Sequence, residues 1–220
     1  MSLSYYLYIS DSKVDMMLQQ IDPGSTKGHQ TELSIGLKVF GARRTVVSAA
    51  GADRVARLER VLRHLSDTRS VGTLDAPERF FWGLMPMRWR VIPSELSGPL
   101  AFFGGTWEGM SVGLGGSSRH LLGADAAEGG LFPGSTTPAL LDGIAASSEL
   151  EDELVVDAVE DELDGDLGAL ETVRKAVAAV PGPTQNVEFV AKRLLHGDVG
   201  DPDAAQPVLL GTPVYVALVD

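Results

Sequence analysis

Residues able to do chemistry are most concentrated between positions 99 and 123, where glycines precede a short run of polar side chains. Gly113, Gly115 and Gly116 predict a tight bend that enters a helix, and the next four residues would form its first turn. The free N–H groups at the start of a helix attract anions. The segment therefore predicts either a phosphate or carboxylate cradle or an ordinary structural turn. The four residues of the expected turn are Ser117, Ser118, Arg119 and His120.

Two further polar groups are expected to border the same pocket. The first follows the first predicted strand and comprises Ser10, Asp11 and Lys13. The second belongs to the last predicted helix and comprises Gln185, Asn186, Lys192 and Arg193. The same residues are also explained as helix caps and exposed ion pairs. The sequence leaves both interpretations open.

His120 is the histidine best placed for general acid or base catalysis, because it follows the expected cradle. No residue that would orient its ring stands out, so no catalytic residue is assigned. The 4 histidines show no metal-ligand spacing, and the chain has 0 cysteines. Neither a metal nor a cofactor is therefore expected. An enzyme that acts on a phosphate-containing substrate through His120 stays the alternative to a binding protein.

The formal charge of −12 over 220 residues is concentrated in one part of the chain. Residues 1–125 carry 14 basic and 12 acidic side chains, whereas residues 126–220 carry 4 and 18. Self-repulsion predicts a flexible, solvated acidic segment over residues 147–168. Docking to a basic partner is the alternative role of this segment, and its charge disfavours nucleic acid.

The opening residues lack the pattern of a signal peptide, and no apolar run reaches the length of a membrane span. Together with the absence of cysteine, these features predict a soluble protein of the cytoplasm. The sequence leaves the oligomeric state open.

Hydrophobic periodicity predicts the elements that position these residues. Helical spacing of apolar residues after Ser10 and around Leu58 predicts two amphipathic helices, the second with an arginine-rich outer face. Alternation predicts strands in the first half of the chain and at both ends. The predicted strands cover residues 5–9, 33–39, 45–48, 80–92, 99–104, 110–114 and 207–219. Later helices are predicted at 138–146, 168–179 and 185–195.

This order of elements predicts a single α+β domain over residues 1–220, with a mixed-sheet α/β fold as the alternative. Hairpin-like connections favour a mostly antiparallel sheet built from the N-terminal half. The first and last strands are expected to share that sheet, and the helices are expected mainly in the C-terminal half.

Four segments carry a resemblance to a known group of proteins: YYLYISDSKVD, GLGGSSRHLLG, QNVEFVAKRLL and LLGTPVYVALVD. Together they resemble an uncharacterised actinobacterial family of domain-of-unknown-function proteins. Its members are similar to small proteins encoded near bacterial conflict or NTP-dependent signalling systems, which implies a sensor or adaptor role. The leading hypothesis is a non-enzymatic module that recognises a small anionic ligand, such as a nucleotide, or a protein partner.

Overall fold

The computed structural model describes residues 5–21, 43–93, 98–123, 137, 140–144, 165–201 and 204–219, with the side chains of 43–50 and 52 left aside. The chain divides into two compact units, Ser10–Val71 and the remainder formed by Met1–Ile9 with Gly72–Asp220. The predicted strand at 33–39 and most of the acidic segment, 147–164, lie outside the described residues.

In the described residues of the unit Ser10–Val71, two helices pack on each other, α1 (Asp11–Ile21) and α2 (Arg43–Asp67). The Ser10 carbonyl accepts the first helical hydrogen bond of α1 from the Val14 amide at 3.0 Å. Val14 and Met17 of α1 are buried, as the helical spacing of apolar residues predicted. The strand predicted at 45–48 was wrong, because these residues lie inside α2.

Ion pairs join the polar faces of the two helices. Arg54 contacts the Asp11 carboxylate at 2.7 Å, and Arg57 pairs with Asp15 of α1 and, within α2, with Asp53. Part of the arginine-rich face of α2 is therefore neutralised within the same unit. Because these side chains are partly exposed, each pair contributes on the order of 1 kcal/mol or less.

The described part of the second unit is built on seven strands and one long helix. The strands are β1 (Tyr5–Ile9), β2 (Val71–Gly72), β3 (Phe80–Ile92), β4 (Leu100–Trp107), β5 (Met110–Ser117), β6 (Gln185–Val199) and β7 (Gln206–Leu218), of which β2 begins one residue earlier than the unit. The helix is α3 (Gly165–Ala179), close to the predicted 168–179. Residues 140–144 are also helical, as predicted.

Five of the strands close into a barrel in the order β7-β5-β4-β3-β6, and β6 pairs again with β7. All of these pairings are antiparallel except β5 with β7. β1 pairs with the second half of β7, so the first and last strands share one sheet as predicted. Within the barrel, β3 has two neighbours, because its first half pairs with β6 and its second half with β4.

Two hydrophobic cores lie on opposite faces of the barrel wall. Inside the barrel, Phe81, Phe103 and Phe189 are fully buried among alternate residues of the strands. Outside it, Phe102 packs with residues of α3 and with Leu140 of the 140–144 segment. Both faces of several strands are therefore apolar, which hides the alternation that identifies strands in a sequence.

The general prediction of an α+β fold is confirmed, but its arrangement was wrong in three respects. The sheet is not confined to the N-terminal half, because β6 and β7 complete it. The helices are not mainly C-terminal, because α2 is the longest helix among the described residues. The helix predicted at 185–195 is instead β6, whose pairing with β3 and β7 closes the barrel.

Candidate functional site

The glycine run predicted as a bend lies within strand β5. Gly113 and Gly115 face the outer core, where a Cβ on Gly113 would lie 3.2 Å from Val173 and one on Gly115 would overlap Leu140. A Cβ on Gly116 would meet the Tyr8 hydroxyl. These glycines thus let neighbouring side chains approach the strand closely, and the predicted bend into a helix was wrong.

The four residues after the glycines include a single 3₁₀ turn, Ser118–His120, in place of the expected helix. The Ser118 amide donates to the Pro99 carbonyl at 3.0 Å, so this N–H group is engaged within the fold. The Ser117 side chain does not cap this 3₁₀ turn, and its Oγ instead accepts a hydrogen bond from Arg119 Nε at 3.2 Å. The His120 ring is buried and packs edge-on against Tyr8, with centroids 5.7 Å apart. The geometry gives the predicted cradle of free amides no support.

The other predicted polar groups lie on separate elements. Ser10, Asp11 and Lys13 belong to the helical unit, where Lys13 Nζ donates to Ser10 Oγ at 3.2 Å and Asp11 pairs with Arg54. Gln185 and Lys192 lie on β6 rather than on a helix, seven residues and therefore about 23 Å apart. One small ligand cannot contact both.

The β6 residues of the predicted group make contacts within the barrel unit. Gln185 accepts a hydrogen bond from Trp89 Nε1 at 3.3 Å, and the Asn186 carbonyl accepts one from the Val219 amide. Arg193 donates from Nη1 to the Pro77 carbonyl at 2.6 Å, and Lys192 stands opposite Phe80 in the β3 ladder. Arg193 is thus explained as an anchor for the chain that leads into β3.

A groove of about 370 Å³ opens on the outside of the barrel where β3 separates from β4. Its lining comprises Pro86, Arg88, Gly104, Gly105, Thr106, Val177, Ala178 and Thr184. Its volume lies within the range typical of small-molecule sites. All of its residues belong to the barrel unit and to described segments.

The groove exists because β3 changes partner. The β3–β4 ladder ends where Arg88 pairs with Gly104, and β3 before that point pairs with β6. β4 beyond Gly104 continues to pair with β5 on its other edge. A Cβ on Gly104 would lie 3.1 Å from Val177 Cα of α3, so glycine there lets the end of α3 form the opposite wall.

Arg88 is the charged residue of this groove. Its Nη1 donates to the Val180 carbonyl at 3.3 Å and its Nε lies 3.4 Å from Thr184 Oγ1. Among the described residues, no carboxylate pairs with it. Neutral acceptors thus orient the guanidinium while its positive charge stays uncompensated by the described part of the chain. Thr106 and Thr184 belong to the same lining.

A second, larger cavity of about 660 Å³ lies near the start of α3, and it differs from the Arg88 groove because its arginine is paired with a carboxylate. Its arginine, Arg174, donates to both oxygens of Glu171 at 2.8 and 2.5 Å. The hydrogen bond from Arg174 lowers the pKa of Glu171, and the same bond raises the pKa of Arg174. The cation of this cavity is therefore already neutralised, whereas that of the Arg88 groove is not.

Sequence reasoning missed Arg88, Thr106 and Thr184 as a group. They come from β3, β4 and the approach to β6, and nothing in their spacing shows that a strand fork brings them together. The available signal was Pro86, which cannot donate a ladder hydrogen bond and marks an irregular point in β3. Among the described residues, no group of His, Asp or Glu is placed to hold a metal ion.

The chain is an α+β protein whose sheet closes into a five-stranded barrel, and a groove that contains an arginine lies on the outer wall of this barrel. Residues 4–220 match the model of DUF7019, a family of unknown function, and the chain belongs to that family. The resemblance to a domain-of-unknown-function family is thereby confirmed. No curated protein and no solved structure matches the chain. Within the described segments, none of the helices has the length and hydropathy needed to span a membrane.

Proposed function

We propose that this protein is a non-catalytic binding module for a small anionic ligand, and that the ligand binds in the groove at Arg88. The observation that carries the proposal is a guanidinium that lines a groove of about 370 Å³ without a carboxylate partner among the described residues. A sensor or adaptor role in the cytoplasm is consistent with such a module.

The chemistry of the lining favours a carboxylate or phosphate group. A guanidinium presents several N–H donors in a planar fork, and two of them are oriented by Val180 and Thr184. The remaining donors can form charge-assisted hydrogen bonds with an anion. Pro86 and Val177 supply apolar walls for the rest of the ligand.

The experiment is a binding screen by thermal shift and calorimetry with inorganic phosphate, malonate, AMP and ATP. At least one of these anions should raise the melting temperature of the wild-type protein, because a ligand that binds only the native state stabilises it. Arg88→Gln should weaken that anion's binding tenfold or more, since it removes the charge. Arg88→Lys should give an intermediate loss, because it keeps the charge without the fork.

Arg119→Gln is the matched control, because Arg119 is an exposed arginine of the same unit and belongs to the cradle predicted from the sequence. Its binding should equal that of wild type. If Arg119→Gln abolishes binding while Arg88→Gln does not, the cradle is the site and the groove proposal is wrong. Failure of all four anions to bind the wild-type protein at millimolar concentration would also overturn it.

A further inference from the structure

We infer that a second surface of the barrel binds a cationic side chain, that of an arginine in a protein partner. This surface, called here the Trp82 surface, consists of Trp82 and Leu84 on β3 and Glu188 on β6. It is independent of the Arg88 groove, because the two share no residue.

Two large apolar side chains of this surface face outwards. Phe81 and Met85 point into the barrel, so the alternate residues Trp82 and Leu84 lie on its outer face. Trp82 is 40% exposed and Leu84 is 45% exposed. Leu84 stands directly opposite Glu188 in the β3–β6 ladder, which places the carboxylate beside both apolar side chains.

The Glu188 carboxylate is held by one of its two oxygens. Trp82 Nε1 donates to Oε1 at 3.1 Å, and the Tyr215 hydroxyl donates to the same Oε1 at 2.8 Å. Among the described residues, Oε2 receives no hydrogen bond and no cation pairs with the carboxylate. The negative charge is therefore oriented by two neutral aromatic donors but is not neutralised by them.

This combination fits a guanidinium better than an anion or a purely apolar group. An indole face attracts cations, and arginine uses such faces more often than lysine does. A free carboxylate oxygen supplies a charge-assisted hydrogen bond at the edge of the same ring. Leu84 offers apolar surface to the methylene stem of the arginine. The net charge of −12 complements a basic partner.

The experiment titrates the protein with a blocked pentapeptide that has one arginine flanked by leucine and alanine, and records the indole N–H signals of the 3 tryptophans by NMR. The Trp82 signal should move progressively with peptide. A peptide with citrulline in place of arginine should bind at least tenfold more weakly, because it keeps the shape and loses the charge. Glu188→Gln should cause a comparable loss with the arginine peptide.

Glu78→Gln is the control for overall charge, since Glu78 is an exposed acid of the same unit. It should bind the peptide as wild type does. Trp82→Phe keeps a ring but removes the indole N–H donor and should also weaken binding. Equal losses in Glu188→Gln and Glu78→Gln would show general electrostatic attraction and overturn the inference. If the Trp82 signal moves with protein concentration and not with peptide concentration, a second copy of the chain binds to the Trp82 surface, and the inference is also overturned.

Discussion

Gly83→Ala is the substitution that most directly tests the pairing of β3 with β6. Gly83 stands opposite Phe189 in this ladder, and the Phe189 ring lies over the glycine. An ideal Cβ on Gly83 would overlap Phe189 Cζ and would lie 2.9 Å from Cε1 and 3.0 Å from Cε2. Phe189 is fully buried and packs edge-on against Phe81, with ring centroids 5.9 Å apart, so its ring has little space to move.

The magnitude follows from two opposing effects. Forcing a methyl group into a packed core costs about 1–3 kcal/mol, and the full burial of Phe189 places this site near the upper end. Replacing glycine reduces the entropy of the unfolded chain and returns about 0.4–1 kcal/mol. The net loss is about 2 kcal/mol. For a domain of this size, that loss lowers the melting temperature by about 4–8 °C.

The assay is thermal and urea unfolding of Gly83→Ala, Phe189→Leu and the double variant. Phe189→Leu alone should cost about 1–2 kcal/mol because it leaves space in the core. In the double variant the new methyl group occupies part of that space, so the coupling free energy should be about 1 kcal/mol or more. Gly168→Ala, at an exposed helical glycine with open space around it, should instead stabilise by about 0.5–1 kcal/mol. Additive effects, or an unchanged stability of Gly83→Ala, would refute the Gly83–Phe189 packing.

Two further predictions concern the hairpin turn and the pH dependence. Glu108 and Gly109 both have positive φ, 47° and 87°, so Glu108→Asn should raise the melting temperature and Gly109→Ala should lower it by an amount equivalent to about 1 kcal/mol or more. Burial, and then the hydrogen bond to Glu188, raise the pKa of Tyr215. The folded state therefore holds the Tyr215 proton more tightly than the unfolded state does. This difference contributes to stability below about pH 10 and is lost as the pH rises above that value. Above about pH 10, the melting temperature of Tyr215→Phe should therefore fall less steeply with pH than that of the wild-type protein.

The elements that the sequence predicted well are those with one buried face and clear ends. α1 begins after Ser10 and buries Val14 and Met17, in agreement with its helical spacing. α3 and the terminal strands lie close to their predicted positions. In each case a local pattern of apolar residues is sufficient, because it depends on the period of a single element.

The helix predicted at 185–195 shows where local patterns mislead. Val187, Val190, Ala191 and Leu194 have helical spacing, yet this segment is strand β6. Val187 and Ala191 face the barrel interior, whereas Val190 and Leu194 are covered on the outer face. Because both faces of β6 carry apolar residues over part of its length, the period of two that identifies a strand is hidden there.

The candidate sites also depend on the pairing of strands that are distant in the sequence. The glycine run was predicted as a tight bend into a helix, whereas the ladder between β4 and β5 shows that its backbone is paired within the sheet. Arg88 and Thr184 are 96 positions apart in the chain, and so no local spacing links them. Their proximity results from the point at which β3 leaves β4 for β6.

The sequence by itself determined the charge asymmetry, the absence of cysteine chemistry, the amphipathic helices and the terminal strands, because each depends on composition or on neighbours along the chain. Only the tertiary structure decided that β6 is a strand, that the sheet closes, and that Arg88 and the Trp82 surface lie on its outer wall. The physical reason is that closure of a barrel joins strands distant in sequence, and the hydrogen bonds and burial that stabilise those pairings have no counterpart in any short segment.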